Sequence, residues 1–288
     1  MISKKANTIV IAGASGFIGS NILKQKDLFP YNLFIPVTRR DIHDFIKVEN
    51  YADSPNGNVL LYLADDNSND LSIEKSRITL DKNLETLSKL ITRDYSKIIY
   101  VSSSALYGDQ NPNLNTITSP IVFETPYTYL KYYSELKVLQ NPNGVVVRVS
   151  NVYGPGMSKN NVISTILSQI PGVGDLQIKS MKPVRDFIWV VDVVRALITL
   201  ANMDINSFTT RVFNISTGIG TSIGELANTA LQIAGESSRN IKESLHPQNN
   251  SYAVMDYSET KKILDWTPHV NVESGLEMLL ALKVKFAQ

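Results

Sequence analysis

A chain of 288 residues with 43% hydrophobic side chains can bury the core of one large α/β domain, or of a domain with a smaller lobe. Its 28 basic and 27 acidic residues leave a net charge of only +1 and are scattered along the chain, which excludes the basic stripe of a nucleic-acid binder. The absence of cysteine excludes disulfides and thiolate chemistry, and three dispersed histidines, His43, His246 and His269, make no metal-ligand spacing, so a soluble, cytoplasmic protein without a metal is expected.

At the N-terminus, MISKKANTIVIAGASG sets two lysines before an apolar run, as a signal peptide would, but the run reaches only about seven residues before Gly13. It reads better as a first strand, TIVIAG (8–13). Runs of the same kind recur: NLFIPV (32–37), NVLLYLA (58–64), KIIYVSS (97–103), VVVRVS (145–150) and RVFNIS (211–216). Near-continuous Val, Ile and Leu without alternation suits parallel strands buried on both faces. Helix-like stretches at 16–27, 79–92, 125–139 and 187–202 lie between them. This alternation predicts an α/β fold, a Rossmann-type doubly wound parallel sheet. The longest apolar stretch, FIWVVDVVRALITLA (187–201), carries Asp192 and Arg195, unlike the ~20 uncharged residues of a membrane span. Beyond residue 217 the strand rhythm weakens and a mostly helical, polar tail is expected.

The first strand runs directly into GASGFIG, followed by the helix pattern SNILKQKDL. Gly13, Gly16 and Gly19 allow a tight turn and close approach to a pyrophosphate. Ser15, Phe17 and Ile18 complete this candidate cofactor-binding turn, and the helix N-terminus supplies amide donors. An ordinary glycine-rich turn is the alternative, but the position at the first strand-to-helix junction favours a dinucleotide. Such sites usually carry an acid about 20 residues on to hold the ribose hydroxyls, yet residues 28–40, LFPYNLFIPVTRR, contain none. Thr38, Arg39 and Arg40 stand there instead, and arginine forks suit the 2′-phosphate of NADP. NAD stays open, since Asp41 follows and an exposed basic turn would look the same.

The fourth long strand ends in YVSSSALYG, which puts Ser103 and Ser104 at the carboxyl edge of the sheet, the usual ligand crevice. Then comes TPYTYLKYYSEL (125–136), where Tyr127 and Lys131 share one helix face. An ammonium near a phenol favours the phenolate, and a phenol so tuned serves as general acid–base for alcohol and ketone chemistry. The competing reading is an aromatic helix face on which Lys131 pairs with Glu135.

GxxGxxG, then SSSALYG, then YxxxK resembles the extended short-chain dehydrogenase/reductases, the NAD(P)-dependent nucleotide-sugar epimerase/dehydratase group. VRVSNVYGPG (147–156), RDFIWVVDVVRAL (185–197), FNISTGIGTSIGELA (213–227) and ILDWTP (263–268) look like further landmarks in order, and Asn83 in LDKNLETLSKL matches an asparagine-bearing helix. The resemblance implies that Ser103 hydrogen-bonds the substrate oxygen and Tyr127 exchanges a proton with it. Lys131 would hold the nicotinamide ribose and tune Tyr127. With Ser103 and Ser104, Asn151 and Arg185 are substrate-binding positions, the last two near a nucleotide diphosphate, although Arg185 could simply pair with Asp186 or Asp192. Two departures stand out. Ser104 and Ala105 replace the Asp–Glu pair of the dehydratases, and HPQNN (246–250) lacks the arginine and acid of the usual phosphate-gripping stretch.

The resemblance also implies a dinucleotide-binding Rossmann domain over 1–156 plus 185–216 and a substrate-binding lobe over 157–184 plus 217–288. Expected function is NADPH-dependent reduction of a nucleotide-linked 4-keto-6-deoxysugar. The alternatives are an NAD-dependent nucleotide-sugar epimerase and, in another class, a non-catalytic dinucleotide-binding scaffold or sensor. A homodimer is expected through Tyr129, Tyr132, Tyr133 and Leu136 of one helix and a leucine stripe, Leu80, Leu84, Leu87 and Leu90/Ile91, of another.

Overall fold

The computed structural model describes residues 6–65, 73–244 and 251–287. In chain order the first half comprises β1 (Asn7–Ala12), α1 (Phe17–Lys24), β2 (Asn32–Thr38), β3 (Ile46–Lys47), β4 (Val59–Tyr62), α2 (Ile73–Leu90), β5 (Lys97–Ser103), α3 (Pro126–Leu139) and β6 (Gly144–Val149). The second half adds β7 (Asn151–Tyr153), α4 (Val162–Ser168), β8 (Leu176–Ile178), β9 (Val184–Trp189), α5 (Val190–Asn202), β10 (Val212–Ile215), β11 (Gly220–Ser222), α6 (Ile223–Ile233), β12 (Ile241–Glu243), β13 (Tyr252–Ala253), α7 (Ser258–Leu264) and α8 (Val272–Ala287).

Seven strands form one sheet in the order β10-β6-β5-β4-β1-β2-β3, every pair parallel. The six expected strands are all in it, and this is the Rossmann-type sheet their apolar runs predict. Successive residues of a strand point to opposite faces, and here both faces are covered. Ile9, Ile11, Leu61, Ile99 and Val147 meet Ile22 of α1 and Val193, Val194 and Leu197 of α5. Val10, Leu60, Ile98 and Val146 meet Leu87 and Leu90 of α2 and Val138 of α3. The strand order runs outward in both directions from the β1–β4 pair, so the crevice at the carboxyl ends of β1 and β4 is the topological switch point, where ligands bind in such sheets.

Two expectations need correcting. The stretch 187–202 is helical only from Val190, because Val184–Trp189 is strand β9, paired with β7, β11 and β13. A short apolar run has no periodicity that separates strand from helix. The tail is also less helical than expected, since β11, β12 and β13, of two or three residues each, lack any apolar run that could announce them. A second core gathers Ile163, Ile166, Leu176, Phe187, Trp189, Leu226, Leu231 and Leu276 away from the large sheet. Among the described residues no helix is long and apolar enough to cross a membrane.

Candidate active site

Gly13 leaves β1 in the left-handed region, with φ +87°, and a side chain there would place Cβ 2.9 Å from the carbonyl of Leu63 on the β4 side. At Gly19 a Cβ would lie 2.7 Å from backbone atoms of Ala14. Both glycines are therefore steric requirements of a turn pressed against its own sheet. Gly16 is the N-cap of α1 and no side chain caps the helix, so its first amides, from Phe17 onward, are not claimed by a local side chain. Gly13, Ser15, Gly16, Thr38, Arg39, Arg40, Glu49, Tyr51, Leu63, Ala64 and Asp65 line an open cleft of ≈ 540 Å³ at this crevice. Phe17 and Ile18 begin α1, and Ile18 also packs against the core below.

Thr38 ends β2 fully buried, within 2.8 Å of the Ser15 hydroxyl, and accepts from the amide of Arg40. That fixes the turn. Arg39 and Arg40 are exposed and make no ion pair among the described residues, and the Arg39 guanidinium stands 5.5 Å from the Tyr51 ring.

Ser103 is the last residue of β5, its hydroxyl accepting from the amide of Ala105, while Ser104 opens a short turn that runs to Tyr107. Helix α3 begins just before Tyr127, with Pro126 in its first turn and a reciprocal Thr125–Thr128 capping box. Tyr127 thus sits in the first turn and Lys131 one turn deeper, its ammonium 5.7 Å from the centre of the Tyr127 ring. Lys131 is fixed on the other side by donating to the Val101 carbonyl of β5, 2.8 Å away. The three candidate catalytic residues therefore come from one strand end and one helix start that are bonded together.

Glu135 does not pair with Lys131. It takes a bidentate grip from Arg148 of β6, at 2.9 and 2.6 Å, both residues buried. The partner of Lys131 is Asp65, whose Oδ2 lies 2.8 Å from the ammonium, both side chains almost wholly buried. The Tyr100 hydroxyl donates to the same oxygen. Burial pulls the Lys131 ammonium down, but the Asp65 carboxylate, and next the neighbouring Tyr127, outweigh it and hold it above the usual lysine value. Burial, reinforced by the charge of Asp65, pushes the Tyr100 phenol well up, so Tyr100 stays a donor. Behind them Tyr62 donates to Asn83, Asn83 to Ser134, and Ser134 bonds Tyr100, a polar chain through the helix that carries Lys131.

Asn151 opens β7, exposed, and donates to the Asp186 carbonyl at 3.1 Å. Arg185 pairs with neither Asp186 nor Asp192. It bonds Asp109 at 3.1 Å and the hydroxyl and carbonyl of Ser251 at 2.7 and 3.2 Å. HPQNN lies outside the described residues. Sequence reasoning passed over Asp65, although the acidic end of NVLLYLADD, at the carboxyl end of a buried parallel strand, was the signal that marked it.

Residues 9–216 match the model of the NAD dependent epimerase/dehydratase family. The chain belongs to that family. Among curated relatives it is 25% identical to a dTDP-4-dehydro-6-deoxy-D-allose reductase from a Streptomyces species, over 94% of each chain. Among solved structures it resembles the UDP-glucose 4-epimerase of Thermotoga maritima, solved with UDP-glucose, at a TM-score of 0.81 with 24% identity, covering 98% of this chain and 100% of that one. It also resembles RMD from Pseudomonas aeruginosa in complex with NADPH, at a TM-score of 0.78 and 21% identity, covering 96% and 98%. The resemblance read from the sequence holds, and with it the enzyme class, a reductase or an epimerase.

Proposed function

We propose that this chain is an NADPH-dependent reductase of a nucleotide-linked 4-keto-6-deoxysugar. The observation that carries the reading is the pair Arg39 and Arg40, exposed and without ion-pair partners among the described residues, at the mouth of the cleft, where a guanidinium fork would meet a 2′-phosphate. Three further facts support it. Ser104 and Ala105 offer no acid and base for removing water, the reductase relative aligns over 94% of the chain, and the structurally similar RMD was solved with NADPH.

The cleft suits a dinucleotide: a Cβ at Gly13 or Gly19 would collide with backbone, and α1 presents uncapped amides to a pyrophosphate. Gly13, Ser15, Gly16, Phe17, Ile18 and Gly19 would hold it, with Thr38, Arg39 and Arg40 at the 2′-phosphate and Lys131 at the nicotinamide ribose. When bound, the dinucleotide supplies the two reducing electrons and one hydrogen. Ser103 then donates a hydrogen bond to the sugar carbonyl oxygen, and Tyr127 delivers the proton that makes it an alcohol. Lys131, charged and held by Asp65, stabilises the phenolate that Tyr127 leaves behind. Asn151 and Arg185 would face the nucleotide diphosphate, Arg185 by exchanging some of its bonds to Asp109 and Ser251. The lobe division at 157–184 and 217–288, the homodimer and a cytoplasmic location belong to the same reading.

An NAD-dependent epimerase is the second reading, favoured by the structural likeness to the UDP-glucose 4-epimerase. Purified enzyme should consume NADPH in step with a dTDP-4-keto-6-deoxysugar and should not carry retained NAD. Replacing Arg39 and Arg40 with alanine should raise the Kd for NADPH by ~10-fold or more and leave NADH nearly unchanged, since only NADPH has the 2′-phosphate. Equal losses for both cofactors would sink the phosphate clamp, and tightly retained NAD would hand the case to the epimerase.

A further inference from the structure

We infer that Asp65 is a cofactor-binding residue, its carboxylate accepting a hydroxyl of the nicotinamide ribose while Lys131 donates to the same sugar. This rests on the reading that the chain binds a nicotinamide dinucleotide. Asp65 follows β4 at the switch point of the sheet and lines the cleft together with Gly13, Ser15 and Arg39. Its side chain is only 2% exposed. Oδ2 is doubly engaged, by the Lys131 ammonium at 2.8 Å and by the Tyr100 hydroxyl. Oδ1 is buried and has no hydrogen-bond partner among the described residues. Buried carboxylate oxygens are rarely left without a donor, because nothing replaces the water they lose.

The position of Asp65 decides what that donor is. Its partner Lys131 stands one turn from Tyr127, so Asp65 adjoins the acid–base and, with it, the reactive end of the cofactor. A pyrophosphate is repelled by a carboxylate and is already served by the glycine turn and the start of α1. Between those two places a dinucleotide carries one group rich in neutral donors, the ribose next to the nicotinamide. A vicinal diol meets an ammonium and a carboxylate with complementary chemistry, since each hydroxyl both donates and accepts. Tyr100, Ser134, Asn83 and Tyr62 hold the carboxylate in place from behind.

Fluorescence titration with NADPH and NADH, set beside calorimetry with ADP, tests this, because ADP has the adenosine and pyrophosphate but lacks the nicotinamide ribose. Asp65→Ala should weaken both dinucleotides by ~10- to 100-fold, the worth of a hydrogen bond to a charged group, and leave ADP within about two-fold. Asp65→Asn, whose amide oxygen still accepts, should lie between the variant and the wild type. The double variant Asp65→Ala/Lys131→Met removes the stranded cation, so it should recover any melting temperature lost by Asp65→Ala yet still bind ADP and bind NADPH poorly. Equal losses for ADP and NADPH would show a merely structural aspartate. Unchanged or tighter NADPH binding, from a released Lys131, would equally overturn the assignment. Wild-type protein that binds ADP but no nicotinamide dinucleotide would instead remove the reading on which the inference rests, and the inference with it.

Discussion

Tyr127 and Lys131 are placed by different forces. The capped first turn of α3 sets the phenol at the helix entrance, whereas Lys131 is drawn inward by the Val101 carbonyl and Asp65. Only the phenol remains partly accessible, as a group that must meet a substrate has to be. Tyr127→Phe removes the proton and little volume. It should leave the Kd for NADPH within about two-fold and lower kcat by ~10²–10⁴-fold, the usual contribution of a positioned acid–base. Full turnover in this variant on the true substrate would show that the proton comes from elsewhere.

Helix α3 owes its seat to more than apolar contact. Glu135 on its buried face and Arg148 on β6 form a bidentate pair, and Arg148 also donates to the Tyr107 hydroxyl at 2.9 Å. Breaking such a pair from one side strands a buried charge, so Arg148→Met should cost roughly 3–5 kcal/mol in denaturant unfolding. Arg148→Met with Glu135→Leu should recover most of it. A second tie joins the loop at Asp109 to β9 through Arg185 and to Ser251. Burial pushes the Asp109 carboxyl up, but hydrogen bonds from Ser251 and Gln110 and the charge of Arg185 outweigh it and hold it below the ordinary aspartate value of 3.8. An acid lowered in the folded state contributes its stability in full above 3.8 and loses it as pH falls through the lower folded value. Wild type should therefore melt above Asp109→Asn near neutral pH, and the two should converge in acid below that value. A constant gap at all pH values would mean that charge plays no part in the tie.

At the scale of the molecule, one face of α2 and α3 is left apolar. Ile78, Tyr129, Tyr133 and Leu136 are exposed, and Phe123 stacks on Tyr129 with ring centres 4.7 Å apart. Leu87 and Leu90, assigned by sequence to the same dimer stripe, are fully buried in the monomer's own core, so Leu87→Glu would unfold the chain and report nothing about assembly. The informative variant is Tyr133→Glu with Leu136→Glu. Light scattering should give wild type twice the 32.0 kDa chain mass and the variant a single chain, with little change in melting temperature. Wild type at 32.0 kDa at micromolar concentration would remove the dimer.

The parallel sheet, the glycine turn and the Tyr127–Lys131 spacing were legible in the sequence because each is a local demand. A strand buried on both faces must be apolar at every position, a backbone pressed on Leu63 and Ala14 admits only glycine, and residues four apart on a helix are neighbours whatever surrounds them. Other features depended on distant residues meeting across the fold. The spacing made Glu135 an equal candidate to hold Lys131, yet the packing of α3 turned Glu135 toward Arg148 and brought Asp65 from the far end of β4. In the same way Arg185 found Asp109, one end of the α2 leucine stripe became core, and Phe187, Ile188 and Trp189 of a run that read as helix joined β9. Charge pairs and strand partners are chosen by long-range geometry, so only the tertiary structure decided them.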